Sequence, residues 1–131
     1  MNKDDIALKT SRTAKLYFNG VRDEDKPYNL WRTFDKDLAK EMSLYITGQF
    51  YSREKIPHTT RQLVTVAALT AISKPEELKL HIHAALNVGC SKEDIAEVIF
   101  QTSIYAGVPA ANTALKVLKT VLEERNEQNE I

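Results

Sequence analysis

The chain is poor in the residues that mark several functional classes. Its one cysteine, Cys90, cannot close an intrachain disulfide, form a thiol redox pair or furnish a zinc site by itself. Charge of one sign is not in excess. Lysine plus arginine and aspartate plus glutamate both come to 18, so no overall field draws the chain to nucleic acid or an anionic membrane. That balance is still compatible with a local basic pocket. No apolar run approaches the ~20 residues of a membrane span, and the opening Met1-Asn2-Lys3-Asp4-Asp5 lacks the apolar core of a secretory signal. There is no glycine-rich phosphate loop and no nucleophile elbow. These absences describe a cytoplasmic protein in a reducing compartment, and 131 residues are enough for one domain with a core.

Glycine and proline are also scarce, four of each, and they fall where helices start or stop. The expected fold is all-α, with about six helices. Residues 1–32 read as a polar arm carrying a short helix around Ser11 to Phe18 and then an extended stretch. A helix from about Asp35 to Phe50, with Thr33 as a possible N-cap, has Leu38, Met42, Tyr45 and Ile46 at helical spacing. The next, from about His58 to Ile72, is apolar around nearly its whole axis and is expected to be buried on most sides. Ser73-Lys74-Pro75-Glu76 has the capping-box pattern, and the helix it opens stops at Gly89. Ser91 to Asp94 caps a further helix. Gly107-Val108-Pro109 stops it and starts the last, which is expected to end near Leu122 in a frayed polar tail, residues 123–131.

The apolar surface of segments 61–72 and 95–122 exceeds one stripe per helix. Leaving it in water forfeits about 25 cal/mol per Å², so a second copy of the chain is the expected cover, making a homo-oligomer.

Candidate chemistry centres on His81. It shares a helix face with Glu77, four residues before it. A carboxylate beside an imidazole sets its tautomer and proton affinity, as in a general acid or base; a structural histidine in the core has the same spacing. His83 points about 200 degrees away from His81, given 3.6 residues per turn, so the two do not chelate one metal, and no metal site is expected. His58, near a helix start, reads as a solvated loop residue. Arg61 reads either as a clamp for a carboxylate or as an exposed first-turn arginine. Tyr105 reads either as a phenol offered to a ligand or as a core tyrosine with a wet tip.

The ordered set of motifs resembles the carboxymuconolactone decarboxylase family. Its first half is Phe34-Asp35-Lys36-Asp37-Leu38-Ala39, Tyr51-Ser52-Arg53 and Arg61-Gln62-Leu63-Val64-Thr65-Val66-Ala67-Ala68-Leu69. Its second is Glu76-Glu77-Leu78-Lys79-Leu80-His81, Ala84-Ala85-Leu86-Asn87-Val88-Gly89, Glu93-Asp94-Ile95-Ala96-Glu97-Val98 and Tyr105-Ala106-Gly107-Val108-Pro109-Ala110-Ala111. The likeness spans residues 33–122, the expected domain. It implies trimers or hexamers with pockets at or near subunit interfaces.

One branch of the family, similar to alkylhydroperoxidase partner proteins, carries a Cys-x-x-Cys four residues before the histidine and a glutamate upstream. Here those positions hold Lys74, Glu77 and Gln62, which argues against thiol peroxidase chemistry. The other branch decarboxylates 4-carboxymuconolactone to an enol-lactone, a step of aromatic-compound catabolism. The resemblance therefore implies a lyase acting on a small cyclic carboxylic acid or lactone without a cofactor, since the electrons left by CO2 delocalise into the conjugated lactone. His81 is the expected proton donor or oxyanion stabiliser, Glu77 its orienting partner, and Arg61 or Arg53 the carboxylate clamp. The alternative is a ligand-binding or scaffold oligomer that keeps the fold without the chemistry.

Overall fold

The structure, a computed structural model, describes residues 2–129. Seven α-helices carry it, and no strand occurs among the described residues: α1 Lys3–Phe18, α2 Pro27–Phe34, α3 Lys36–Ser43, α4 His58–Ala71, α5 Pro75–Asn87, α6 Lys92–Ala106 and α7 Val108–Asn129. A 3-10 turn, Asp23–Asp25, precedes α2, and α3 runs on into a π-helical segment, Leu44–Tyr51. No helix among the described residues is long and apolar enough to cross a membrane.

Local chemistry sets most of the boundaries. Asp35 caps α3 by accepting from the Leu38 amide at 3.0 Å. Thr33, the expected cap, instead bonds back to the Asn29 carbonyl within α2. Ser91 and Asp94 form a reciprocal capping box at the start of α6. α5 ends in a Schellman motif: Gly89 takes φ 109°, and the Cys90 and Gly89 amides bond to the Ala85 and Leu86 carbonyls. The capping box read at Ser73 does not form. Ser73 takes φ 55°, and the Ser73 and Lys74 amides bond to the Thr70 and Leu69 carbonyls, so the residue closes α4 in a second Schellman motif and α5 starts without a side-chain cap.

The core joins Val66 of α4, Leu78, Ile82 and Ala85 of α5, Ile95 and Ile99 of α6, and Ala114, Leu118 and Val121 of α7. The central helix is α5, not α4 as the composition of residues 58–72 indicated. α5 packs against α1, α4, α6 and α7 and buries Leu78, Leu80, Ile82, His83, Ala84 and Ala85. On α4 the fully buried stripe is Gln62, Val66 and Thr70, while Val64 stays 59% exposed. Two further expectations change. The first 32 residues are largely helical, since α1 is sixteen residues long and α2 begins at Pro27. The polar stretch after Leu122 continues α7 instead of fraying, because Glu124 finds Lys79 at 2.9 Å; residues 130 and 131 lie outside the described chain.

α1 packs across the π-helical segment and against α5. Gly48 permits the first contact: a Cβ there would sit 3.1 Å from the Ile6 carbonyl oxygen and run into the Thr10 hydroxyl, which is itself bonded to Ile6. Gly48→Ala is expected to lower unfolding stability by roughly 1–3 kcal/mol, as overpacking does, measured by urea denaturation. An unchanged midpoint would mean that α1 and the segment move apart freely.

Candidate functional site

Between α1, α2, the π-helical segment and α5 lies a cavity of about 650 Å³, a volume that suits a small organic ligand. Phe18, Tyr28, Trp31, Ile46 and Leu80 make its wall mainly apolar, and His81 and Tyr51 also line it. Its charged lining residues are Lys15 and Lys26, with no aspartate or glutamate among them.

His81 is half-buried. Its Nδ1 lies 3.0 Å from Gln62 Oε1, and its ring stacks on Tyr51 with centroids 5.6 Å apart and planes at 26°. Burial pushes its pKa from 6.5 down to about 4, so the imidazole is neutral near pH 7. A carbonyl oxygen only accepts, so Nδ1 carries the hydrogen and donates to Gln62. Nε2 then keeps its lone pair and has no protein partner among the described residues. The π-helical turn, in which Ser52 N–H reaches the Thr47 carbonyl, carries Tyr51 to this ring; such turns recur at functional sites. The Tyr51 hydroxyl is tied to Thr65 at 3.2 Å.

Gln62 is fully buried, and its Nε2 has no hydrogen-bond partner among the described residues. Behind it, the Tyr17 hydroxyl pairs with His58 Nδ1, and Tyr17 meets Tyr51 edge-on at 5.9 Å. His58 is thus half-buried in an aromatic cluster, not a solvated loop residue, because the Tyr17 ring of α1 meets its ring edge-on at 5.2 Å. Burial raises the Tyr17 pKa, against a lowering by Gln62 and Arg61.

The low pKa of His81 makes stability depend on pH. The unfolded imidazole takes up a proton near pH 6.5 and the folded one only near pH 4, so the unfolded state binds more protons across that window and stability falls as pH drops through it. The loss is on the order of 3 kcal/mol. His83, whose pKa burial also lowers, acts in the same direction. His81→Asn, which keeps a donor to Gln62, is expected to flatten the profile between pH 6.5 and 4 in denaturant titrations; an unchanged slope would assign it to other groups.

The other residues singled out in the sequence lie elsewhere. Glu77 is exposed, and burial is the cause of the shift at His81; the partner of the ring is Gln62, from the neighbouring helix. Arg61 donates to the Arg53 carbonyl at 3.0 Å and lies over the Phe50 ring. Arg53 is exposed, and Tyr105 is 86% exposed on α6. None of these four lines the cavity. His83, on the far side of α5, is buried with Nε2 3.4 Å from Glu124. Cys90 is buried, its thiol pushed to higher pKa by burial, the opposite of a reactive thiolate. Tyr17 and Tyr51 gave no periodic signal as partners. For Gln62 the signal that could have found it is its position four before the buried Val66 on α4.

A sequence model of the carboxymuconolactone decarboxylase family matches residues 36–120. The chain belongs to that family. It is 36% identical over 91 residues to the 4-carboxymuconolactone decarboxylase of Acinetobacter baylyi, covering 70% of this chain and 68% of that one. It is also 37% identical over 84 residues, 62% of each chain, to an uncharacterised 15.0 kDa protein from the nqo9–nqo10 intergenic region of Paracoccus denitrificans. In this carboxymuconolactone decarboxylase family protein the matched region begins with α3, so α1, the 3-10 turn and α2 precede it.

Proposed function

We propose that this protein is a cofactor-independent decarboxylase of a small cyclic carboxylic acid or lactone, with 4-carboxymuconolactone as the first substrate to try. The observation that carries the reading is His81: a desolvated imidazole with its tautomer set by Gln62, on the wall of an apolar cavity whose charged residues are two lysines.

In the reaction the bond between ring carbon and carboxylate breaks and CO2 departs. The electron pair passes into the conjugated lactone as an enolate, and a proton is then added at carbon. One proton is consumed per CO2 released. Without a bound anion beside it His81 is neutral near pH 7. An anionic substrate beside it favours the charged imidazole, so Nε2 takes up a proton as the substrate enters and hands it to the carbanionic carbon. The apolar wall strengthens the charge interactions inside. Arg53, Arg61, Glu77 and Tyr105 have no part in this scheme.

CO2 release on mixing the protein with 4-carboxymuconolactone tests the proposal. Binding of the lactone without turnover would favour the non-catalytic ligand-binding reading; neither binding nor turnover would mean a different substrate class.

We also propose that the protein is a homo-oligomer. Phe100, Ile104, Tyr105 and Val108, each more than half exposed, lie together around the end of α6, and zero net charge offers little repulsion between copies. Ile104→Glu is expected to reduce the mass in solution to that of the 14.9 kDa chain, as read by light scattering. An unchanged oligomer would place the interface elsewhere.

A further inference from the structure

Most of the cavity's lining comes from before residue 36, where the family match begins: Phe18 and Lys15 from α1, Lys26 before α2, and Tyr28 and Trp31 from it. The family-matched region supplies His81 and Tyr51, but both lysines belong to the N-terminal segment.

That segment is held in place and is not a loose cover. Asn87, at the end of α5, donates to the Tyr17 and Asn19 carbonyls at 2.8 and 2.9 Å, anchoring the end of α1. Lys79 of α5 pairs with Asp25 at 3.0 Å, anchoring the 3-10 turn next to Lys26. Both tethers run to the helix that carries His81, so the lysines and the imidazole share one rigid frame. Lys15 has no acidic partner among the described residues. Lys26 has Asp23 at 3.4 Å, an exposed contact of little strength.

We infer that the segment preceding the family domain is the specificity element of this protein, in which Lys15 and Lys26 hold the carboxylate of a compact ring acid whose apolar body lies against Phe18, Tyr28 and Trp31. The inference rests on reading this cavity as the substrate site. It follows from the chemistry of the wall: aromatic faces accept a ring, two cations with no lining acid accept an anion, and a largely apolar surface disfavours a ligand polar all round. Charge-assisted contacts then distinguish an acid from its neutral amide of nearly the same shape.

Trp31, the single tryptophan, reports on occupancy through its indole N–H resonance in the ¹⁵N-labelled full-length chain. Titration with benzoate and with benzamide is expected to shift that resonance, with benzoate binding about tenfold more tightly. In Lys15→Met/Lys26→Met the preference is expected to vanish while benzamide affinity changes less than about twofold. Equal affinity of the unmodified chain for the two probes, no shift of Trp31, or a preference that survives the double substitution would each overturn the inference. Should the double variant fold poorly, the comparison on the unmodified chain decides. A lysine-dependent preference without CO2 release from any ring acid would overturn the decarboxylase proposal alone. Turnover of the lactone without any such preference would overturn this inference alone.

Discussion

His81→Asn is expected to lower kcat for CO2 release from 4-carboxymuconolactone by about 10²–10⁴-fold, the range in which a positioned proton donor contributes. Asparagine can keep the hydrogen bond to Gln62 but carries no group that accepts and returns a proton at the position of Nε2. The defect is expected chiefly in kcat, with a smaller rise in KM because the imidazolium formed on binding also attracts the substrate anion. Loss of an interaction made only after CO2 departs lowers kcat, whereas loss of uniform binding raises KM. If His81 loads its proton only when an anion enters, binding of the substrate is accompanied by proton uptake from weakly buffered solution, and the variant takes up none. An undiminished kcat in His81→Asn would remove the imidazole from the mechanism and leave the cavity as a binding site.

Glu124→Ala is expected to destabilise the fold by about 3 kcal/mol, against less than about 0.5 kcal/mol for the exposed neighbour Glu123→Ala. The Glu124 carboxylate is 12% exposed and lies 2.9 Å from Lys79, 3.4 Å from His83 and 3.5 Å from Arg22. Burial raises its pKa, but Lys79, Arg22 and His83 together outweigh that and the net shift is downward. Lys79 answers in the reverse direction: burial lowers it, and Glu124 with Asp25 raises it overall. Removing the acid leaves a partly buried ammonium with one partner and His83 with the Arg125 guanidinium 3.4 Å away. Because Lys79 also holds the turn before Lys26, the same substitution is expected to loosen the cavity wall. Equal urea midpoints for the two variants would show that solvent replaces the network at no cost.

Much of the architecture was legible residue by residue. The helix from His58 and the stop signals at Gly89 and Gly107 were readable because glycine at a left-handed position, and a cap followed by an apolar stripe, act within one or two turns. The same locality misled at Ser73, where two local uses of one residue competed and the end of α4 took it. It also misled at residues 123–129, where polar composition says nothing of a half-buried lysine and a buried histidine waiting on another helix. At the site, the position of His81 was readable, but its partner was not. Helical spacing proposes only residues three or four away, hence Glu77, while the group that meets the ring is Gln62, 19 positions earlier on α4.

Composition, caps and the order of motifs along the chain determined an all-helical family domain and singled out one imidazole within it, because those properties depend on neighbours a few residues apart. Tertiary structure alone decided that Gln62 and Tyr51 surround that imidazole, that burial keeps it neutral, and that lysines from outside the family domain stand in its cavity where arginines were expected. Pairings of that kind depend on how helices distant in sequence pack, and burial and charge at a site are sums over all of them.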